Sequence, residues 1–179
     1  MDVRFDTKSA AREAVWDALE DEGIVRFPFP PHGRIPNFEG APAAAERLFE
    51  EPPFTGARRL KVNPDAPRRQ VRIEALRRGC VVCVPTPRLR GGFKRLDPAS
   101  IPDDETKPAA SLSKMDRWAE PVALTDLPPP DALVTGPVAV TPGRPPCGKG
   151  EGYRHRADAL LHEHGPDPAP AATPAPVPR

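Results

Sequence analysis

The chain has 179 residues, with 26 Lys plus Arg against 25 Asp plus Glu, and its formal charge of +1 gives no global electrostatic pull toward nucleic acid or an anionic membrane surface. This length suits a single domain, and no window reaches the ~18–20 consecutive apolar residues that a membrane span requires. Three cysteines behind a charged start with no apolar leader argue against a disulfide framework, so a soluble, cytoplasmic protein in a reducing compartment is expected.

Over residues 9–22, Ala11, Ala14, Val15, Ala18 and Leu19 repeat at helical spacing, Ser9 can cap and Gly23 follows, which predicts an amphipathic helix. Residues 27–38 hold too many prolines for a helix or a ladder, yet they carry three Phe and are expected to wrap irregularly over the core. A second helix is expected over 43–50. A strand over 58–62 stops at Asn63-Pro64-Asp65-Ala66-Pro67. A helix then fits 68–78, with Gly79 ending it, and the apolar run 80–84 reads as a buried parallel strand. Strand, helix and strand in this order make a βαβ unit.

Residues 91–120 read as loops with one short helix over 111–118. Candidate strands follow at 122–124, 132–134 and 137–140, and residues 154–164 read as helical. The 28 prolines concentrate toward the end, where 166–179 cannot bury enough apolar surface to offset its ordering entropy and reads as a disordered tail. Two segments are thus expected: an α/β domain over 1–165 and the tail over 166–179.

Among the motifs, Gly148-Lys149-Gly150-Glu151-Gly152-Tyr153 joins an expected strand to an expected helix. Its glycines would let backbone amides approach a phosphate, and Lys149 adds a point charge. It is not a Walker A motif, because the spacing and the Ser or Thr after Lys are absent. The plain alternative is a flexible surface turn. Lys8 and Arg12 stand i and i+4 and can face one anion; the plain alternative is a solvated face.

Cys80 and Cys83 match C-x-x-C, but in a strand their side chains point to opposite faces and cannot chelate together. Arg88-Leu89-Arg90-Gly91-Gly92-Phe93-Lys94-Arg95 places four cations and an aromatic together, as an RNA-contacting segment would; on a near-neutral chain an anion clamp or a solvated loop is the better reading, and nucleic acid is not the expected partner. Of the four histidines, His155, His162 and His164 show no familiar metal spacing with an acid and read as solvated.

The series in order resembles the 5-formyltetrahydrofolate cyclo-ligase family, and within it the methenyltetrahydrofolate-synthetase-domain branch. The matching pieces are Lys8 with Arg12, Arg34-Ile35-Pro36-Asn37-Phe38, Asn63 to Pro67 with Val71 and Arg72, Val84 to Leu89, Gly136 to Val140, and Gly148 to Tyr153. The resemblance implies an α/β fold similar to the sugar-isomerase and CoA-transferase superfamily, with a Rossmann-like sheet flanked by helices. It implies a ligase of one-carbon metabolism that uses ATP and Mg2+ to turn 5-formyltetrahydrofolate into 5,10-methenyltetrahydrofolate.

By the same resemblance, Lys8, Arg12 and Gly148 to Tyr153 bind the nucleotide, with Lys149 and Tyr153 closest to the chemistry. Arg34, Asn37, Asp65 and Arg88 face the folate. Where the branch carries an acid near the metal this chain has His155, which leaves Asp158 as the remaining carboxylate. The family also continues into further strands, so the sheet here is expected to lack its last ones, leaving an exposed edge and with it poor solubility or dependence on a partner. No sequence feature sets the oligomeric state.

Overall fold

The computed structural model describes residues 5–87, 91–140, 146–150 and 170–172. The first helix, α1 (Lys8–Asp21), is capped by Thr7 rather than Ser9: the Thr7 hydroxyl accepts a hydrogen bond from the Ala10 amide at 3.1 Å. Gly23 ends it in the left-handed conformation, φ +66°, as the C′ position requires. Its inward face is anchored by Trp16 and Leu19, whereas Ala11, Ala14, Val15 and Ala18 are only half-buried.

The proline-rich stretch 27–38 enters a ladder only through its last two residues, which follow Pro36 and carry no proline themselves. Strand β1 (Val25–Arg26) pairs antiparallel with β2 (Asn37–Phe38). Of its three Phe only Phe38 is buried; Phe27 and Phe29 are 77% and 60% exposed, so the wrapping expected of them does not occur.

Helix α2 (Ala41–Leu48) starts two residues before its predicted start, since Pro42 is tolerated in a first turn, where an amide would lack a partner anyway. The βαβ unit is present as β3 (Arg59–Val62), α3 (Arg68–Arg77) and β4 (Val81–Pro85), with β3 and β4 parallel and Leu60 beside Val82. On one face Leu60, Val62, Val82 and Val84 meet Val71, Ala75 and Leu76 of α3 and Ala45 and Leu48 of α2, all in one core. Full burial stabilises each of the larger aliphatic side chains by roughly 1.5–3 kcal/mol. Cys80 belongs to this core while Cys83 lies on the other face, and burial pushes the Cys83 thiol up to about 11. Both are free thiols, as their spacing in a strand predicts.

Strand β5 (Phe93–Leu96) falls where the pattern read as loop, and it pairs antiparallel with β4 and with β6 (Glu120–Val122). Its central cations concealed it. Lys94 pairs with Asp116, and Arg95 meets Asp97 at 2.6 Å and Glu120 at 3.2 Å. The helix expected over 111–118 shrinks to a single tight turn at Met115–Arg117, and a short helix, α4 (Thr106–Ala109), precedes it.

Strand β7 (Ala132–Thr135) runs parallel to β3, and β8 (Pro170–Ala172) lies beyond it, giving a mixed α/β sheet in the order β6-β5-β4-β3-β7-β8. Residues 137–140 form one bridge, Ala139 to Cys147, rather than a full strand. From the segment read as tail, β8 (Pro170–Ala172) pairs parallel with β7 at the outer edge, where a proline's missing amide is tolerated. The remainder of 166–179 and the helix expected over 154–164 lie outside the described residues. Among the described residues no helix is long and apolar enough to cross a membrane.

Asp131 clamps the start of β3. Its Oδ2 accepts from the Arg58 and Arg59 amides at 2.8 and 2.9 Å. Burial opposes ionisation there, but these amides and the neighbouring guanidiniums outweigh it and hold the carboxyl below its usual 3.8. The clamp's stability is therefore present above 3.8 and is lost as pH falls through the lowered pKa. Asp131→Ala is expected to cost about 1–2 kcal/mol in urea unfolding at neutral pH. The difference from wild type should fade on acidification.

Candidate functional site

Because β3, β4 and β7 are parallel, their C-terminal ends share one edge of the sheet. Open α/β sheets bind ligands outside that edge. Three connections emerge there: the Asn63 to Pro67 turn, Thr86 with Pro87, and the segment from Gly136. The Asn63 amide donates to the Val134 carbonyl at 3.1 Å, which fixes the first of these against the third.

Two arginines of α3 are buried beneath the turn. Arg68 is 4% exposed and donates from Nη2 to the Thr135 carbonyl at 3.2 Å; Arg72 is 1% exposed and donates to the carbonyls of Ala110 and Asn63 at 2.9 Å each. Arg68 Nε has no hydrogen-bond partner among the described residues. Burial pulls both guanidiniums down to about 10, against the opposing charge of Asp65, yet both stay protonated at neutral pH. Gly136 touches Arg68 so closely that a Cβ there would overlap the guanidinium.

Asp65 faces these cations. Desolvation dominates and raises its carboxyl above the usual 3.8, with Arg68, Lys149 and Arg72 pulling the other way. A folded-state pKa raised above the unfolded value stabilises the fold below 3.8, and that contribution is lost as pH rises through the raised pKa. Ionised Asp65 is then a net cost at neutral pH. Asp65→Asn should leave the neutral-pH melting temperature unchanged or higher, as thermal denaturation across pH would record.

The glycine loop approaches from the other side. Cys147 donates its amide to the Ala139 carbonyl at 2.8 Å, and its own carbonyl accepts from the amides of Val138 at 2.7 Å and Ala139 at 3.3 Å. Val138 packs with Trp16 and Ile35, so α1, the Arg34-to-Phe38 segment and the stretch after β7 share one small apolar cluster. Arg12 Nε donates to the Gly148 carbonyl at 2.7 Å, and the Cys147 thiol points at the Lys8 carbonyl at 3.6 Å. At Gly150, φ +106°, a Cβ would lie 3.6 Å from the Arg12 guanidinium. Lys149 in turn acts electrostatically on Asp65. The Lys8 backbone and the Arg12 side chain thus meet the segment 147–150 across more than 130 positions, and Lys149 of that segment acts on the Asp65 turn.

Other expected residues are placed differently. Arg34 is exposed, and its carbonyl accepts from Trp16 Nε1 at 3.1 Å. The Asn37 side chain is engaged in its own loop, donating to the Phe27 carbonyl at 2.8 Å and accepting from the Phe38 amide at 3.1 Å. Arg88, Glu151, Gly152, Tyr153 and Asp158 lie outside the described residues. The basic segment 88–95 is partly neutralised, since both Lys94 and Arg95 are ion-paired.

Sequence reasoning passed over Arg68 and, as functional candidates, Arg72 and the fully buried Lys61. A signal existed: Arg68 and Arg72 stand i and i+4 on a helix whose other inward positions are apolar, and Lys61 interrupts an apolar strand.

The profile described as the 5-formyltetrahydrofolate cyclo-ligase family matches residues 8–175. Among curated proteins, the chain is 38% identical over 161 residues to a methenyltetrahydrofolate synthase domain-containing protein of Bos taurus, covering 89% of this chain and 42% of that protein. It is 39% identical to the protein of that name from Mus musculus, covering 89% and 43%, and 33% identical to that from Homo sapiens, covering 89% and 42%. The chain spans less than half the length of these relatives.

Proposed function

Because the chain belongs to the 5-formyltetrahydrofolate cyclo-ligase family, we propose that it converts 5-formyltetrahydrofolate and ATP into 5,10-methenyltetrahydrofolate, ADP and phosphate. The observation that carries this reading is the 2.7 Å hydrogen bond from Arg12 to the Gly148 carbonyl, which joins the helix cation to the glycine loop. Arg12 and Lys149 then bring two positive charges to the start of one glycine loop. That arrangement suits a polyphosphate, whose charge is spread over several oxygens.

ATP supplies the phosphoryl group that makes the formyl oxygen a leaving group. The chain's own residues bind and orient. Lys8, Arg12 and Lys149 offset the triphosphate charge, and the amides of Gly148 and Gly150, with those of Glu151, Gly152 and Tyr153, hold the transferring group. Tyr153 is assigned to the reacting end beside Lys149. Asp65, held between Lys149 and the buried arginines, is assigned to the pterin ring. Arg34, Asn37 and Arg88 are assigned to the rest of the folate, with the arginines matching its glutamate carboxylates.

For Mg2+ the fit is weaker. Among the described residues the single grouping of three candidate metal ligands lies elsewhere, at Glu13, Asp17 and His32. With His155 in the place of the family acid, Asp158 is the chain's remaining candidate, and Mg2+ would be held chiefly by the phosphates.

The test is absorbance of the methenyl product after mixing the protein with 5-formyltetrahydrofolate, ATP and Mg2+. ATP-dependent product formation is expected. Measurable ATP binding without product would instead leave a nucleotide-binding protein that does not turn over.

A further inference from the structure

Glu13, Asp17 and Glu20 form one stripe along α1, spaced i, i+4 and i+7. Like charges at this spacing destabilise a helix by some tenths of a kcal/mol unless a cation sits among them. Among the described residues, the ion pairs of these three acids are all made with His32, which comes from a different segment, the connection between β1 and β2. The ring is placed by Trp16, whose centroid lies 5.4 Å from its own at a 49° tilt. Nε2 points to Asp17 Oδ1 at 2.9 Å and Glu13 Oε2 at 3.8 Å, while Nδ1 faces Glu20 Oε2 at 3.7 Å. One ligand atom from each of Glu13, Asp17 and His32 falls within 4.8 Å of the others.

We infer that Glu13, Asp17 and His32 form a binding site for a divalent transition cation of the zinc class, separate from the nucleotide loop. An imidazole with two carboxylates is the donor set such an ion takes, with water in the fourth position. In a tetrahedral site with bonds near 2.0–2.1 Å, neighbouring ligand atoms stand about 3.3 Å apart. The two His32 contacts, 2.9 and 3.8 Å, bracket that spacing, and the three ligand atoms all lie within 4.8 Å of one another, so rotation of the two exposed carboxylates brings the set onto one ion. Glu20 stands on the opposite ring nitrogen, as the carboxylate that orients a metal-bound histidine does. The ion would tie α1 to the β1–β2 connection, and Arg12 of the glycine-loop contact is the residue next to Glu13.

The experiment uses the full chain without any affinity tag. Zn2+ is titrated calorimetrically at neutral pH, and Co2+ absorption reports the donor atoms. One saturable site is expected, weakened about tenfold or more by His32→Ala and by Asp17→Asn, with cobalt ligand-field bands and no thiolate charge-transfer band. Should His32→Ala fail to fold, Asp17→Asn, at an exposed helix position, carries the test alone. Absence of saturable binding, binding unchanged in the variants, or a thiolate band from Cys80, Cys83 or Cys147 would each overturn the assignment.

Discussion

Lys149→Ala is expected to lower kcat/KM for ATP-dependent ring closure by about 100- to 1,000-fold, the effect of deleting one preorganised charge from a phosphoryl-transfer site. Arg12→Ala should do comparable damage by a second route. It removes a cation and also frees the Gly148 carbonyl that Arg12 Nε holds at 2.7 Å, so the loop loses its anchor to α1. The two variants differ in what else they disturb. Lys149 is partly exposed, and its loss should move stability by no more than about 0.5 kcal/mol, whereas Arg12→Ala should also lower the melting temperature. Arg12→Lys keeps the charge without the planar fork and should recover only part of the activity. Steady-state kinetics with ATP varied, alongside thermal melts, checks all three. Full activity in Lys149→Ala would remove the loop from the chemistry.

The second large effect is on folding. Gly136→Ala should destabilise the chain by about 1–3 kcal/mol, because the added methyl overlaps the buried Arg68 guanidinium and forces it away from the Thr135 carbonyl. The change looks mild in sequence. Its severity comes from the partner: a methyl at 136 overlaps the Arg68 guanidinium, which is 4% exposed and already bonded to the Thr135 carbonyl. Shortening that partner should relieve the clash, so Gly136→Ala with Arg68→Leu is expected to be non-additive by about 1–3 kcal/mol in a double-mutant cycle. Additive losses would mean that Gly136 is constrained by something other than Arg68.

The contrast between these residues indicates how far the sequence could be read. The βαβ unit was legible because its signals agree. Two apolar runs flank a helix whose inward positions keep helical spacing, and Gly79 stops that helix at φ +78°. Strand β5 was not, since its interior holds Lys94 and Arg95, whose distant partners Asp116 and Glu120, with Asp97 close by in sequence, make those cations tolerable there. The β1–β2 ladder was hidden in the same way, by four prolines lying between two short pairing segments.

The meeting of Lys8 and Arg12 with Gly148 came from the order of motifs, not from local spacing, which cannot reveal a contact across 136 positions. Arg68 and Arg72 escaped because arginine in a helix is ordinarily solvated. Only the sheet edge above them shows that these two are enclosed. His32 was unremarkable for a related reason: its acids belong to another element, and the sequence places them 12 to 19 residues away.

The most direct measurement follows the formyl oxygen. The proposed reaction makes a bond from that oxygen to the γ-phosphorus and then breaks its bond to carbon, so the atom must leave in inorganic phosphate. With 5-formyltetrahydrofolate carrying a heavy isotope at the formyl oxygen, mass spectrometry should find the label in phosphate, in step with methenyl product and only when ATP is present. Product formed with the label in water, or label transfer that persists in Lys149→Ala, would contradict an ATP-dependent ring closure at the glycine loop.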